Sequence, residues 1–343
     1  MKLSLEAASS LALRNTFGID VRAEHFAILN SREQLPDLIE QCHAHGAVFF
    51  LGGGSNILLT HDVPGLTIKV DLQGMTIDRS DEEVIRVTAA AGENWHNCVM
   101  SLLEQNVPGL ENLALIPGTV GAAPIQNIGA YGLEVAERIE SVEVLDWQSG
   151  TVEKLDAQAC QFSYRESVFK RYPGRWLVLA VTFRLPALQK WQANIAYREL
   201  ADELQKRCTM PATMATPRQI ADAVIAIRSR KLPDPSQMGN AGSFFKNPVI
   251  SSHERLALLE THPDLISYAQ ADGSYKLAAG WLIDRCGWKG KQIGLAGVHE
   301  NQALVLVNRG GASGADIMAL AQAIQSDVHD HFGVMLEPEP VFL

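Results

Sequence analysis

The stretch that decides the fold of this chain is Leu51-Gly52-Gly53-Gly54-Ser55-Asn56-Ile57-Leu58-Leu59. Three consecutive glycines, a hydroxyl and an amide interrupt an otherwise apolar strip, and residues 47–50 before it have the pattern of a buried strand. Successive glycines let backbone N–H groups converge on an anion without interference from Cβ atoms, and Ser55 and Asn56 add side-chain donors. For this run alone, a tight turn and a second piece of protein packed on the bare backbone are equally open interpretations.

Neither of the two common phosphate-binding fingerprints fits the run. A P-loop needs Gly-Lys-Ser or Gly-Lys-Thr, and neither tripeptide occurs in the chain. A dinucleotide fingerprint of the form GxGxxG needs a glycine at its sixth position, where this chain has Ile57. The residues that follow are predicted to be extended rather than helical, so the run is not a standard phosphate loop.

A second glycine-rich segment, residues 109–132, changes this interpretation. It contains five glycines and two prolines and carries almost no charge after Glu111. An exposed flexible linker would contain more Ser, Lys and Glu, so this segment is predicted to be a buried loop wrapped against a ligand. Two phosphate-compatible loops in one half of the chain predict a ligand with a long diphosphate, such as a dinucleotide.

The composition bounds the class of protein. The formal net charge of -10 argues against nonspecific binding of nucleic acid or of an anionic membrane, but it leaves room for a local basic pocket. No apolar run approaches the length of a membrane span and the first residues lack a signal-peptide pattern, so a cytoplasmic protein is predicted. The five cysteines include no CxxC pair, which argues against a metal site or redox dithiol and predicts single buried thiols.

Hydrophobic periodicity predicts a chain of mixed helices and strands. Helices are expected over residues 32–45, from Trp95 onward, from Pro217 onward and between Ser313 and Gly333; strands are expected over residues 47–51, 65–70, 84–89, 139–145, 151–155, 176–185, 303–307 and 334–336. Residues 191–208 form a polar segment that favours helix, and a domain boundary is predicted near residue 205.

The glycine run belongs to a series of ordered motifs. The others are residues 116–132, Tyr164-Arg165-Glu166-Ser167, residues 242–248, residues 279–284, residues 299–305 and residues 337–340. Together they resemble the UDP-N-acetylenolpyruvoylglucosamine reductase family, in the order found there and over about residues 15 to 340. A single glycine loop would be weak support, whereas a full ordered series is specific.

The resemblance implies a flavoenzyme with a mixed α+β and α/β fold. A two-domain FAD-binding fold of the vanillyl-alcohol-oxidase type would occupy residues 1–70 and 71–205, with an insertion near residues 186–208. A substrate-binding α/β domain would span residues 206–335, and residues 336–343 would bring a catalytic glutamate to the flavin. NADPH would reduce the noncovalent FAD, which would then reduce the enolpyruvyl double bond of UDP-N-acetylglucosamine enolpyruvate, giving UDP-N-acetylmuramate for peptidoglycan. A monomer that binds neither nucleic acid nor membrane is expected.

The same resemblance assigns roles to individual residues. Arg165 would stabilise the carboxylate on which charge develops, Ser243 would donate a proton, and a protonated Glu339 would donate a hydrogen bond. The expected cofactor-binding residues are Gly52, Gly53, Gly54, Ser55, Asn56, Gly118, Thr119, Gly121, Gly129, Tyr131 and Gly132. The expected substrate-binding residues are Tyr164, Tyr197, Lys231, Asn247 and Gln302, with Tyr197 as the substrate-capping tyrosine of the family's longer form.

Two other classes of function are weighed against the reductase. One is another FAD-dependent oxidoreductase of the same fold that acts on a sugar or hydroxy acid. Such enzymes often anchor FAD through a His or Cys, and the glycine segments contain no cysteine. The other is a regulator that binds flavin or a nucleotide sugar without catalysis, although a pure binder needs no proton donor such as Ser243.

Overall fold

The computed structural model describes residues 1–207 and 211–343, which form two compact units. The first unit consists of Met1–Ser9, Arg22–Gly54 and Val63–Arg230, and the second of Ser10–Val21, Ser55–Asp62 and Lys231–Leu343. Cys208, the end of the predicted insertion, lies outside the described residues. In the described part of the chain, every helix is too short or too polar to cross a membrane.

The helices are α1 (Leu35–His45), α2 (Trp95–Glu104), α3 (Val168–Arg171), α4 (Arg198–Arg207), α5 (Pro217–Lys231), α6 (Ser252–Thr261), α7 (Ala279–Arg285) and α8 (Gly314–Phe332). Short 3-10 helices cover Ala12–Arg14, Arg32–Gln34, Glu111–Leu113, Val120–Ala122, Val135–Glu137, Leu188–Lys190 and Ala212–Met214.

The strands are β1 (Glu6–Ser10), β2 (Arg22–Leu29), β3 (Val48–Leu51), β4 (Ile57–Leu58), β5 (Val63–Val70), β6 (Met75–Asp78), β7 (Val84–Ala90), β8 (Gly129–Ala130), β9 (Leu133–Glu134), β10 (Ile139–Asp146), β11 (Thr151–Asp156), β12 (Trp176–Pro186), β13 (Gly239–Ser243), β14 (Val249–Ile250), β15 (Ser267–Ala269), β16 (Tyr275–Leu277), β17 (Gln292–Ile293), β18 (Ala296–Val298), β19 (Val305–Asn308) and β20 (Val341–Phe342).

The first unit is built on two sheets. One has the order β1-β2-β5-β3, in which β2 and β3 both pair with β5 in parallel. The other has the order β11-β10-β12-β7-β6, and the pairings of β10 through β7 are antiparallel. Trp95, Cys98, Val99 and Leu102 share one face of α2 and are buried in the core of this unit, as their helical spacing predicts.

The second unit contains an antiparallel sheet of order β13-β19-β18-β17 and a smaller sheet of order β14-β16-β15. Its longest helix, α8, begins at a capping box in which Ser313 accepts from the N–H of Asp316, and it ends at Gly333 in the left-handed conformation. Both ends lie where the sequence predicts them. Burial of Ile317, Leu320 and Ile324 follows the helical spacing on one face.

The two units divide between residues 230 and 231, because Ile220, Ala223, Val224 and Ile227 of α5 are buried in the core of the first unit. The domain boundary predicted near residue 205 stays a prediction, whereas the strand expected over residues 334–336 differs from the structure. Residues 334–336 are not a strand, although Val334 and Leu336 are buried and Met335 is exposed. The finer division into two FAD-binding parts and a third domain stays a prediction.

The thiols agree with the sequence where they are described. Cys42, Cys98, Cys160 and Cys286 are free, and the first three are buried. Burial raises the pKa of Cys42, Cys98 and Cys160 to about 12, so these groups stay protonated at neutral pH. They therefore behave as small apolar side chains rather than as nucleophiles.

We expect Gly314→Ala to destabilise the second unit. A Cβ on Gly314 would lie 1.9 Å from the carbonyl oxygen of Leu59, so the chain must shift to admit it. The expected loss is about 1–3 kcal/mol of unfolding free energy, measured by urea denaturation. Ala315→Gly at the exposed neighbouring position should cost under about 1 kcal/mol. Equal losses in the two variants would show that the contact with Leu59 is not tight.

Candidate functional site

The two glycine-rich segments lie against each other in the first unit. A Cβ on Gly53 would lie 2.6 Å from Gly118 Cα, and a Cβ on Gly52 would lie 3.0 Å from Thr119 Oγ1. Lys69 Nζ donates to the carbonyl oxygen of Gly52 at 2.5 Å and holds the end of β3. The bare backbone of Gly53 is thus packed on another piece of protein, which was one of the interpretations left open for the run.

The second glycine-rich segment is itself anchored by backbone hydrogen bonds. The N–H of Trp95 donates to the carbonyl oxygen of Gly118 at 3.1 Å, and the N–H of Val120 donates to the carbonyl oxygen of Glu93 at 2.9 Å. Gly121 packs on Ala91, where a Cβ would approach the Ala91 Cβ to 2.5 Å. As predicted, most of residues 109–132 are buried, and Pro117 and Gly132 are the exposed residues among them.

Four residues other than glycine adopt positive φ in or beside this segment. They are Leu115 at 58°, Asn127 at 45°, Tyr131 at 49° and Arg165 at 56°. Each such conformation costs on the order of 1–3 kcal/mol and persists only where its surroundings impose it. The strain therefore identifies backbone that is held by specific contacts.

Leu115 is held from both sides. Its N–H donates to His96 Nδ1 at 3.0 Å, and its carbonyl oxygen accepts from Arg228 Nε at 3.1 Å. Burial and, secondarily, the Arg228 charge lower the pKa of His96, which favours the neutral imidazole that accepts this bond. Burial also lowers the pKa of Arg228 from its ordinary value, against an opposing contribution from Tyr131.

Arg165 lies against the same segment. Its Nη2 donates to the carbonyl oxygen of Gly129 at 2.9 Å, its Nη1 donates to that of Asn127 at 3.4 Å, and its guanidinium lies 5.2 Å from the centre of the Tyr164 ring. Asn127 is fully buried and donates from Nδ2 to the carbonyl oxygen of Ser163 at 3.1 Å. The guanidinium is therefore oriented before any ligand binds.

Tyr197 lies beside Tyr131 in the first unit. The two rings are 5.3 Å apart at 85°, an edge-to-face contact, and Tyr197 is 45% exposed. Burial, the largest effect, raises the pKa of Tyr131 to about 12, so its phenol stays neutral. The contact places the predicted capping tyrosine on the second glycine-rich segment.

Ser243 and Glu339 are brought together in the second unit by a short backbone ladder. The N–H of Glu339 donates to the carbonyl oxygen of Phe244 at 2.8 Å, and the N–H of Lys246 donates to that of Glu337 at 2.9 Å. Phe245 and Pro338 form the bridge between these bonds. Phe244 and Phe245 are buried, so water is excluded from the protein side of this ladder.

Asn56 also lies on the C-terminal segment of the second unit. Its Nδ2 donates to the carbonyl oxygen of Glu339 at 3.4 Å, and its own carbonyl oxygen accepts from the N–H of Val341 at 3.0 Å. Ser55 is in the second unit as well. The structure thus gives Asn56 a role in holding Glu339, in addition to the cofactor contact predicted for it.

Two of the remaining predicted substrate residues, Asn247 and Gln302, accept backbone hydrogen bonds within the second unit. Asn247 Oδ1 accepts from the N–H of Ala279 at the start of α7, at 3.0 Å. Gln302 Oε1 accepts from the N–H of Leu304 at 3.3 Å. Lys231 is the half-buried last residue of α5.

The chain matches two protein-family models. The "UDP-N-acetylenolpyruvoylglucosamine reductase, C-terminal domain" model matches residues 234–343, and the "FAD binding domain" model matches residues 23–156. The UDP-N-acetylenolpyruvoylglucosamine reductase of Paraburkholderia xenovorans is 55% identical over 339 residues, which cover 98% of this chain and 97% of that protein. The same-named protein of Burkholderia ambifaria is 52% identical over 341 residues, 99% of this chain and 97% of that protein. The chain belongs to the UDP-N-acetylenolpyruvoylglucosamine reductase family.

Solved structures confirm the fold expected of the UDP-N-acetylenolpyruvoylglucosamine reductase family. The Thermus caldophilus enzyme of that name superposes with a TM-score of 0.67 at 24% identity, covering 99% of this chain and 98% of that one. A solvent-stable cholesterol oxidase superposes with a TM-score of 0.50 at 12% identity over 98% of this chain and 87% of that one. The predicted family and the predicted class of FAD-binding fold are thus confirmed.

The residues of the first unit fit the FAD that this family binds. Thr119 Oγ1 is buried and makes no hydrogen bond within residues 1–207 and 211–343, so it is a polar atom that a ligand would satisfy. It lies beside Gly52, where no Cβ intervenes. The strained backbone of Leu115 and Tyr131 belongs to the same segment.

Sequence patterns missed three residues that hold this segment: His96, Arg228 and Asn112. Arg228 lies close in sequence to Arg230, but Arg228 donates to the carbonyl oxygen of Leu115 whereas Arg230 pairs with Glu203. Asn112 is buried and donates from Nδ2 to the carbonyl oxygen of Tyr131 at 2.9 Å. The available signal was a polar residue on an otherwise apolar stretch, which alone does not distinguish these positions from others.

We expect Gly53→Ala to lose FAD. The added Cβ must push the two glycine-rich segments apart, because Gly118 backbone occupies its space. Flavin content per protein, measured from the visible spectrum after purification, should fall at least about tenfold for a distortion of roughly 1–3 kcal/mol or more. Gly46→Ala is the control, because a Cβ on Gly46 would have nothing within 4 Å, so its positive φ of 71° strains the backbone without moving either glycine-rich segment. Full flavin content in Gly53→Ala would contradict the contact.

We expect the contact between His96 and Leu115 to weaken in acid. The folded pKa of His96 lies below its ordinary 6.5, so the unfolded chain binds the proton first. Its stabilisation is complete above about pH 6.5 and is lost as the pH falls through the folded pKa. His96→Asn keeps an acceptor that does not titrate. Wild-type thermal stability should therefore fall faster than that of His96→Asn below pH 6.5, and parallel curves would exclude this role.

Proposed function

We propose that Arg165, Ser243 and Glu339 carry the chemistry of this chain. The chain is an FAD-dependent oxidoreductase that uses NADPH to reduce the enolpyruvyl double bond of UDP-N-acetylglucosamine enolpyruvate, giving UDP-N-acetylmuramate for peptidoglycan synthesis. The observation that carries this function is the sequence identity to two proteins named as this reductase, 55% and 53%, each over 98% of the chain. It confirms the predicted function and cofactors.

FAD would be held by the two glycine-rich segments. The proposed contacts are Gly52, Gly53, Gly54, Ser55, Asn56, Gly118, Thr119, Gly121, Gly129, Tyr131 and Gly132, to which we add Arg228. The buried hydroxyl of Thr119 and the cation of Arg228 suit a diphosphate or the polar edge of a flavin. When bound, FAD supplies the hydride chemistry that connects NADPH with the substrate double bond.

Arg165 is proposed to stabilise the charge that develops on the substrate. Reduction of an enol ether beside a carboxylate builds a second negative charge on that carboxylate as the terminal carbon gains hydride. A guanidinium keeps its charge at every working pH and can bind a carboxylate through two N–H groups. The bonds to Gly129 and Asn127 fix the guanidinium plane in advance, so orienting it costs little during the reaction.

Ser243 is proposed to donate the proton that completes the reduction, and Glu339 to stabilise the same charge. The enolate of a carboxylate is a strong base, which makes a serine hydroxyl an adequate acid. An ionised Glu339 would repel that charge, so we propose that it acts in its protonated form as a hydrogen-bond donor. The ladder through Phe244 supports both roles, because it fixes the two backbones relative to each other.

The substrate is proposed to contact Tyr164, Tyr197, Lys231, Asn247 and Gln302. Lys231 would attract the diphosphate of UDP, and Tyr197 would cover the bound sugar nucleotide. The side-chain oxygens of Asn247 and Gln302 already accept backbone N–H groups. Each would therefore offer its amide N–H groups, which suits the phosphate and carbonyl oxygens of the substrate.

Two further proposals concern the state of the protein. We propose that it acts as a monomer, because the proposed chemistry needs no residue from a second copy. We also propose a cytoplasmic location, since its nucleotide-linked substrate and NADPH belong to that compartment and the described cysteines are free thiols.

We expect Ser243→Ala to separate the two half-reactions. The purified holoenzyme should be yellow, bleach anaerobically with NADPH and recolour on addition of UDP-N-acetylglucosamine enolpyruvate. Ser243→Ala should bleach at the wild-type rate but recolour at least about 100-fold more slowly, because only the second step needs the proton.

Ser141→Ala is the control for this experiment, because Ser141 is a serine of the first unit that is buried and whose hydroxyl makes no hydrogen bond within the described residues. It should behave as wild type in both steps. Equal slowing of both half-reactions by Ser243→Ala would show a structural defect instead of a lost proton donor. Failure of the wild type to recolour would exclude the function itself.

A further inference from the structure

The segment that carries Tyr197 is anchored by two adjacent buried polar residues, Glu111 and Asn112. They are 2% and 1% exposed and lie in the 3-10 helix Glu111–Leu113 at the start of the second glycine-rich segment. Buried polar side chains are costly unless their hydrogen bonds are satisfied, so two in succession indicate a specific structural task. Their partners show what that task is.

Glu111 binds the beginning of the insertion. Its Oε1 accepts from Trp191 Nε1 at 2.6 Å, and its Oε2 accepts from the N–H of Gly109 at 2.6 Å. One carboxylate thus joins the insertion to the first residue of the second glycine-rich segment. Bonds to a carboxylate are stronger than bonds between neutral groups, which makes this a firm attachment.

Asn112 binds the middle of the insertion. Its Nδ2 donates to the carbonyl oxygen of Tyr131 at 2.9 Å and to that of Asn194 at 2.8 Å. Both partners are acceptors, so only the amide nitrogen can face them. Asn194 Nδ2 in turn donates to the carbonyl oxygen of Gly132 at 2.8 Å. A side chain of the glycine-rich segment thus binds the backbone of the insertion, and a side chain of the insertion binds the backbone of the segment.

These contacts fix the position of Tyr197. The residue follows Asn194 by three positions, and its carbonyl oxygen accepts from the N–H groups of Leu200 and Ala201 at the start of α4. Its ring packs edge-to-face on Tyr131, whose backbone Asn112 holds. Asn112 therefore fixes both partners of the aromatic pair.

We propose that Asn112, supported by Glu111, is a positioning residue that holds Tyr197 in register over the second glycine-rich segment and so sets the affinity for the UDP-sugar substrate. The inference rests on the proposed role of Tyr197 in substrate binding. Asn112 acts through the backbones of Tyr131 and Asn194, and we assign it no contact with the reacting atoms.

The test is Asn112→Asp in the holoenzyme. An ionised carboxylate would face two carbonyl oxygens, whereas the protonated form recovers one donor. The KM for UDP-N-acetylglucosamine enolpyruvate, relative to wild type at the same pH, should rise about 5- to 30-fold at pH 8 and recover in part near pH 6. The rate of bleaching by NADPH should change less than the KM, because Asn112 contacts the proposed FAD-binding segment through a single bond, to the carbonyl oxygen of Tyr131.

Asn15→Asp is the matched control. Asn15 is also buried and donates from Nδ2 to two backbone carbonyl oxygens, those of Leu11 at 2.8 Å and Ile19 at 2.9 Å. It should lower thermal stability in the same pH-dependent manner without changing KM. If Asn112→Asp does not fold, Trp191→Phe removes the donor to Glu111 and should raise KM in the same direction.

Tyr197→Ala separates this inference from the proposed function. We expect Tyr197→Ala and Asn112→Asp each to raise the KM. The fold-increase in KM of the double mutant should be well below the product of the two single fold-increases. A raised KM in Tyr197→Ala alone would overturn the inference and leave the proposed function intact. An unchanged KM in Tyr197→Ala would overturn the capping role and with it the inference. A uniform change in KM, bleaching rate and stability would reduce Asn112 to a structural residue.

Discussion

The close approach of Gly53 to Gly118 is the constraint on which the first unit's candidate site depends. At this point one backbone lies where the other would carry a Cβ, so each segment limits the position of the other. The end of β3 is held by the parallel sheet, and residues 118–121 are held by the start of α2. The contact therefore transmits the position of the sheet to Thr119 and to the residues after it. A loop anchored in this manner can present backbone to a diphosphate without having to order itself on binding.

The strained residues of this segment follow a single rule. The carbonyl oxygen of each strained residue accepts a hydrogen bond from a polar side chain. Arg228 donates to Leu115 and Arg165 donates to Asn127. Asn112 donates to Tyr131, and Lys170 donates to Arg165. Such bonds contribute about 0.5–3 kcal/mol each, the same order as the strain they offset. The carbonyl oxygens of Ala8 and Gln161 accept from arginines in the same manner away from the glycine-rich segments. Asn106 also has a positive φ, so a positive φ alone does not mark a site, and it is the concentration of such held residues in and beside one segment that points to function.

In the second unit, sequence pattern and structure diverge for a physical reason. Val334, Met335 and Leu336 alternate between buried and exposed, which is the pattern from which a strand was predicted. Alternation records which side chains face the core, but a strand also needs a partner backbone. Here the pairing with another backbone begins only at Glu337, where Phe244 and Lys246 form hydrogen bonds with Glu339 and Glu337.

The capping box at Ser313 and the terminal Gly333 of α8 were predictable because their signals are local in sequence. The pairing of residues 244–246 with residues 337–339 joins segments far apart in the chain, and it was not predicted, because a long-range backbone pairing leaves no local signal in the sequence.

The roles proposed for the site residues stay predictions, and they could be assigned from the sequence to the extent that their chemistry lies in side chains. Arg165 and Ser243 lie in family motifs, whereas Tyr197 lies outside them and was assigned by the family resemblance; the structure holds each of the three by specific contacts. His96, Arg228 and Asn112 could not be found in the same way, because each binds a backbone atom, and a backbone atom has no signature in the sequence. Asn56 illustrates the converse: its amide was interpreted as a donor to a ligand, yet it donates to the carbonyl oxygen of Glu339. A polar residue beside a glycine run can therefore hold the backbone of a proposed catalytic residue as well as offer a donor to a ligand, and only the three-dimensional contact reveals the first of these roles.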